Sequence, residues 1–234
     1  MHPTDKAARV AGWLYLLLVI PGPFSLMYVP RKLIVPGNAA ATAGKILAHE
    51  MLFRLGIVAD LVGAVVFILL AMALYRLFSG VNKAHASLMV ALVLVSAAIG
   101  FVNVLSNIGA LTLFRGADFL AAFDKPQRDA LAMLFLRLHG QGNLINEIFW
   151  GLWLLPFGVL VMRSGFLPRI LGAWLIVNGF AYLAMSFTGL LFPPYGDRVY
   201  DLVFPILFGE LAIMLWLLIR GAKVPPPAVA AATA

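Results

Sequence analysis

Three stretches of the chain, residues 10–30, 86–114 and 170–196, contain no charged residue at all, and each reaches the roughly 20 residues that a helix needs to cross the hydrocarbon core of a bilayer. Such runs leave little structural choice. A membrane interior offers no water to unpaired backbone groups, so the segment must close its own hydrogen bonds as a helix. Three more apolar stretches, residues 55–77, 144–162 and 202–219, read the same way except that each holds one carboxylate: Asp60, Glu147 and Glu210. A transmembrane barrel would instead show segments of roughly ten residues with alternating polarity, and no such alternation is present. The expectation is an all-α polytopic integral membrane protein, a bundle of six transmembrane helices with spans near residues 8–29, 50–78, 86–114, 142–163, 169–191 and 200–220.

Composition agrees: 63% of residues are hydrophobic and 12% charged, against roughly half and a quarter in soluble domains. Residues 1–223 read as one six-helix domain. The tail, residues 224–234, has nothing to bury and reads as disordered. There is no cysteine, which excludes disulfides and thiolate metal sites. A sequence pI near 10.0 is common in nucleic-acid-binding proteins, but the basic residues are scattered at helix ends and form no basic-aromatic face, which argues against a nucleic-acid partner.

Those basic residues bear on topology instead. With the amino terminus cytoplasmic, Lys6, Arg9, Arg76, Lys83, Arg163, Arg169, Arg220 and Lys223 lie inside against Asp5 alone, for a net charge of +7, while the outer side sums to zero. Lysine and arginine near short loops set orientation, so both termini are expected to be cytoplasmic. Lys6 and Arg9 before an apolar run also resemble a signal peptide, but no small-residue cleavage site follows, and an uncleaved anchor is expected.

The outward connections promise structure of their own. Asn38 after a Pro-Gly turn is placed to cap a helix running straight into the second span, and Asp124 with Pro126 to cap one running into the fourth. Leu131, Leu134, Phe135 and Leu138 fall on one face of the latter, which should lie on the membrane or the bundle. "RVAGWLYLL" and "RILGAWLIV" share an Arg, a Gly and a Trp-Leu pair, a weak hint of internal duplication.

At 100° per residue the polar groups of the spans fall into stripes. His49, Gly56, Asp60 and Gly63 share a face of the second span; Ser96, Gly100, Asn103 and Asn107 share one of the third. His139, Asn143, Asn146 and Trp150 share one of the fourth with Glu147 at its edge, and the fifth offers Trp174, Asn178 and Tyr182. A carboxylate at the centre of a spanning helix costs about 2.5 to 3.5 kcal/mol even on the lenient insertion scale, so these groups are expected to face inward.

Their depths point to one polar pocket in the outer half of the bundle, between spans two, three, four and six, above a plug of Leu, Val and Ile. Its candidate ligand-binding residues are Glu147, Asp60, Asn143, Asn146, Asn103, Asn107, His139 and Glu210, with Arg54, His49 and Glu50 at the outer rim. Arg54 or Arg137 is expected to turn inward and neutralise Asp60, Glu147 or Glu50, because an unpaired buried charge is expensive. No nucleophile elbow, Walker loop, zincin or dinucleotide fingerprint is present. Two histidines and three acids without a spacing signature indicate no particular metal, and no cofactor is indicated.

"ARVAGWLYLLLVIPGPF", "LIVPGNAAATAGKILAHEMLFRLGIVADL" and "NEIFWGLWLLPFGVLVMRSGFLPRILG" resemble the bacterial membrane family catalogued as domain of unknown function 4386 (DUF4386), over nearly the whole chain. The resemblance implies a six-helix integral membrane protein, in bacteria one of the inner membrane, and carries no catalytic role to any residue. Three functions remain open. They are binding or transport of a small solute, ion or lipid headgroup in the outward pocket; a structural or partner-binding role without a ligand; and an intramembrane enzyme using acid-base or metal chemistry. A transporter should have a discontinuous helix, for which Pro21-Gly22-Pro23, Pro156 and Pro205 are the candidates.

Overall fold

The computed structural model describes residues 3–222; the expected tail, residues 224–234, and Lys223 lie outside them. Six helical segments are long and apolar enough to cross a membrane: span 1 (Thr4–Leu33), span 2 (Glu50–Phe78), span 3 (Lys83–Arg115), span 4 (Lys125–Arg163), span 5 (Arg169–Leu191) and span 6 (Pro193–Ile219). The chain is thus a multi-pass helical protein whose outer face meets lipid. The described residues contain no strand. Each span packs against its neighbours in sequence, and span 1 also packs against span 6, so the six form a closed ring.

At the end of the ring that carries both termini, Arg9 Nη1–H donates to the Leu218 carbonyl oxygen at 3.0 Å and the Ala222 N–H donates to Asp5 at 3.3 Å. Gly12 lets the backbones of spans 1 and 6 meet: a Cβ there would lie 2.7 Å from Leu218 N. Spans 4 and 5 meet in the same way through two glycine pairs. A Cβ on Gly151 would lie 2.5 Å from the Gly179 oxygen, and one on Gly158 would lie 2.6 Å from the Gly172 oxygen. Small residues allow this approach in a membrane, where helices associate by close packing rather than by the hydrophobic effect. The glycines shared by the two similar sequence segments, Gly12 and Gly172, thus each serve a helix crossing.

The centre of the ring is filled from span 4. Trp153 packs edge-on against Phe67 at 5.0 Å and Tyr15 at 6.1 Å, and is stacked on Phe157 at 5.3 Å, which in turn meets Phe78 at 5.8 Å. All five rings are buried. The expected aliphatic plug is therefore aromatic at its heart, with Leu70, Leu74, Leu154 and Leu160 around it. A second buried apolar cluster, built from Val29, Leu33, Ile46, Phe53, Ile57, Val104, Phe114 and Leu136 among others, closes the opposite end. The polar residues of the spans lie between the two.

Span 4 is one unbroken helix of 39 residues, about 58 Å long, so it projects well beyond a bilayer core. Asp124 caps it as the sequence predicts, in a reciprocal capping box with Gln127. Phe135 packs against Gly109, Ala132 and Leu136 are buried, and Leu134 and Leu138 are exposed. Asn38 also caps as expected, accepting from the Ala41 N–H at 2.9 Å. That helix does not run into span 2, however: it ends at Ala48, and His49 adopts φ −127°, ψ 40° before Glu50 begins a new helix. The first extension is therefore a separate short helix, with Thr42, Ala43 and Ile46 turned inward.

Two spans are interrupted. Span 1 breaks at Pro21-Gly22-Pro23 into a π-helical turn, Phe24–Tyr28. Prolines remove donors from the ladder, and the Ser25 hydroxyl lies 3.1 Å from the Pro21 carbonyl oxygen and 3.4 Å from that of Gly22. Span 6 passes through a 3₁₀ segment, Phe204–Leu207, that includes Pro205. Span 5 meets its carbonyls: Trp174 Nε1–H donates to Ile206 O at 2.9 Å and Asn178 Nδ2–H to Leu207 O at 3.4 Å. Pro156, by contrast, sits inside the continuous span 4.

Candidate functional site

Span 4 carries the polar groups down the bundle like steps. His139, Asn143 and Glu147 follow at intervals of four residues, so successive groups lie about 6 Å deeper and turn about 40° around the helix. The first two face spans 2 and 3. His139 Nδ1 lies 3.2 Å from the Asn103 carbonyl oxygen, which can only accept, so Nδ1 carries the hydrogen. Nε2 then accepts from Asn143 Nδ2–H at 3.3 Å. Asn103 Nδ2–H closes the circuit by donating to Asn143 Oδ1 and to the His139 carbonyl oxygen, both at 2.9 Å.

Asp60 of span 2 approaches this circuit without joining it, because its Oδ2 is 3.7 Å from His139 Nε2, too long for a hydrogen bond. On its other side it neighbours Ser25, in the π-helical turn of span 1. Gly142 makes the circuit possible: a Cβ at that position would occupy the volume of the Asn103 amide. Gly142→Ala should therefore expel Asn103 and destabilise the fold by about 1 to 3 kcal/mol. In an Asn103→Ala background the same change should cost little, and a double-mutant cycle by thermal unfolding measures that coupling.

A second group lies deeper. Glu210, just past the 3₁₀ break of span 6, accepts from the Tyr15 hydroxyl of span 1 at 2.6 Å, with the Tyr182 hydroxyl of span 5 close by. Tyr182 also meets Trp150 of span 4 edge-on at 6.0 Å and is close enough to Glu147 to feel its charge. Among the described residues no hydrogen bond or ion pair joins Glu147 to Asp60 or Glu210, and Glu210 lies with Tyr15 of span 1, so the three acids are not linked to one another. Ring order keeps Glu210 apart from Asp60: among the described residues span 6 packs mainly on spans 1 and 5.

Several oxygens of spans 4 and 5 have no donor among the described residues. Asn146 Oδ1, Glu147 Oε2 and Asn178 Oδ1 are buried and accept no hydrogen bond. Asn146 is buried facing Gly100 of span 3, and Asn107 is buried one turn outward of Asn103.

The rim residues stand apart from these groups. Arg54 Nε–H donates to Glu50 Oε1 at 2.7 Å, and Arg115 Nη1 approaches the same oxygen at 3.7 Å. Arg54 thus neutralises Glu50, at the bundle end, of the three acids expected. Arg137 is exposed, and His49 is an exposed joint between helices. No three histidine or acidic side chains come together as a metal-ligand set among the described residues. Sequence reading missed Ser25 and Tyr15, each a single polar group in an otherwise apolar run, with no spacing partner to mark it.

Comparison with known proteins places this architecture in a family without assigning it an activity. No solved structure matches the chain. A stretch of 79 residues is 33% identical to an uncharacterized protein of Archaeoglobus fulgidus, covering 34% of this chain and 46% of that protein, so the match spans less than half the length of the relative. The family model described as "Domain of unknown function (DUF4386)" matches residues 10–221, nearly the whole bundle, and the chain belongs to that family.

Proposed function

We propose that this protein binds, and passes between its two interrupted helices, a small cation or a small solute rich in hydrogen-bond donors. The observation that carries this reading is the chemistry of the unpartnered groups midway along spans 4 and 5: Asn146 Oδ1, Glu147 Oε2 and Asn178 Oδ1 are all acceptors, while the unpartnered Arg128 Nε, His85 Nδ1 and Trp216 Nε1 lie near span ends. A buried polar atom without a partner costs about 1 to 3 kcal/mol, so three such acceptors within the spans favour a ligand that brings the donors. The intramembrane acids Asp60, Glu147 and Glu210 support the same sign of charge. Breaks in spans 1 and 6, beside Asp60 and Glu210 respectively, support movement over static binding, since irregular backbone inside a membrane segment is typical of transport sites.

On this reading Asp60, His139, Asn103, Asn107 and Asn143 form the outer approach. Glu147, Asn146, Tyr182 and Glu210 form the deeper station, and the Trp153 stack closes the far side. The whole of residues 1–223 would work as one unit. Proteoliposomes challenged with sodium, potassium or methylammonium should take up one of them faster than protein-free vesicles, and Glu210→Gln should abolish the excess. Uptake equal to protein-free vesicles for all three would contradict transport.

A structural role is the second reading, favoured by the outer circuit, where Asn103, Asn143 and His139 satisfy one another as an interhelical lock would. It predicts that truncating Glu147 has no consequence for any ligand.

The charge distribution supports an orientation with both termini cytoplasmic, in a bacterial inner membrane. Reporter fusions at Gly80 and after residue 223 should read cytoplasmic and one at Gly116 external. The reverse pattern would turn the approach to face the cytoplasm.

A further inference from the structure

An open groove of about 300 Å³ lies between the outer ends of spans 2 and 3, lined by Ile57, Val58, Ile108 and Leu111 with Arg54 and Arg115 at its upper edge. We propose that it holds one anionic phospholipid, the phosphate on the two guanidinium groups and the start of an acyl chain against the aliphatic wall. This site is separate from the polar layer and does not depend on the reading given to that layer.

The geometry matches an amphiphile standing in a leaflet. Arg54 is in the first turns of span 2 and Arg115 is the last residue of span 3, so the two charges share one level at the bundle end. Val58 and Ile108 lie four and seven residues away along their helices, about 6 and 10 Å deeper into the membrane. Val58 and Ile108 are half exposed, so the groove is open on the side where lipid packs. A free anion would use the arginines but leave the aliphatic wall without purpose, and a neutral lipid would leave the charge unanswered.

Charge complementarity selects the headgroup. Two arginines share one carboxylate, Glu50 Oε1, at 2.7 and 3.7 Å, leaving a net positive charge. A guanidinium offers five donors in a fork that fits phosphate oxygens, and these contacts engage one nitrogen of each arginine. Glu50 therefore stands where the phosphate would come, and competes with it.

The test uses the purified full chain in detergent, with lipid retention read by native mass spectrometry. Phosphatidylglycerol should be retained about tenfold more tightly than phosphatidylcholine, and the Arg54→Gln/Arg115→Gln double variant should lose that preference. Glu50→Gln should strengthen phosphatidylglycerol binding, an outcome that a merely structural ion-pair cluster would not give. Ile108→Trp, which fills the groove beneath the arginines, should weaken phosphatidylglycerol binding while leaving glycerol phosphate binding unchanged. Equal retention of the two lipids, full retention by the double arginine variant, or weaker binding in Glu50→Gln would overturn the proposal. So would displacement of phosphatidylglycerol by equimolar glycerol phosphate with Ile108→Trp having no effect, which would make the site one for a free anion.

Discussion

Gly158→Leu should prevent this protein from folding, or leave it aggregated on extraction. Gly158 and Gly172 face each other across spans 4 and 5, and a Cβ on the first would sit 2.6 Å from the Gly172 oxygen and 2.7 Å from Ile176 Cγ1. The oxygen belongs to a helix backbone and cannot rotate away, so the helices must separate. Their second close contact, Gly151 to Gly179, lies two turns along the same crossing and would be pried open with them. Overpacking a core typically costs about 1 to 3 kcal/mol, and moving two backbones apart puts the loss at the top of that range or beyond. The central Trp153 stack hangs from the same helix and would lose its seat. Gly140→Ala is the control: it is in the same helix with open space around it, and should raise stability by up to about 1 kcal/mol through helix propensity alone. Fluorescence-detected size exclusion and thermal unfolding read both outcomes.

Glu147→Gln should have the opposite profile, leaving the fold intact and removing ligand binding. Among the described residues the carboxylate makes no hydrogen bond through Oε2 and no ion pair, so replacing it with a neutral amide of the same shape takes away none of these contacts. An intramembrane acid that stabilises nothing is costly to keep, and removing its charge should leave unfolding temperature unchanged or slightly higher. If the oxygen belongs to a cation or donor-rich ligand, the variant loses a charge-assisted contact worth about 1.5 to 3 kcal/mol, which is roughly a tenfold to hundredfold loss of affinity. Glu210→Gln should differ: its carboxylate accepts from Tyr15 at 2.6 Å, so that change disturbs the seam of spans 1 and 6 as well as the site.

Much of the architecture was legible because the membrane restricts the choices. Uncharged runs at 10–30, 86–114 and 170–196 can only be helices, and Asp124 with Pro126 and Gln127 announces a helix start by local chemistry alone. His49 shows where this stops. The helix formers before it and after it are equally good, and the break between Ala48 and Glu50 is not marked by any Gly or Pro.

The candidate site was legible as a set of residues but not as an arrangement. Helical spacing put His139, Asn143 and Asn146 on one face, and the structure uses His139 and Asn143 together. It could not place Glu147, which lies at the edge of that stripe, because the side it turns to depends on which span stands next to it. Nor could it see that span 6 closes the ring onto span 1, since that contact is made by Gly12 and Arg9 at one end and Tyr15 with Glu210 further in. Spacing speaks of one helix at a time, and ring order belongs to all six.

The most direct test of a cation or donor-rich ligand at Glu147 is a thermal unfolding titration of the detergent-solubilised chain. Wild type and Glu147→Gln are titrated with sodium, potassium and methylammonium chlorides at constant ionic strength, with N-methylglucamine chloride as the balancing salt. A ligand that binds only the folded state at a hundred times its Kd stabilises it by about 2.7 kcal/mol, a shift well above the scatter of such scans. The account predicts that at least one of the three raises the unfolding temperature of the wild type and none raises that of Glu147→Gln. Identical curves for the two proteins with every salt would contradict it.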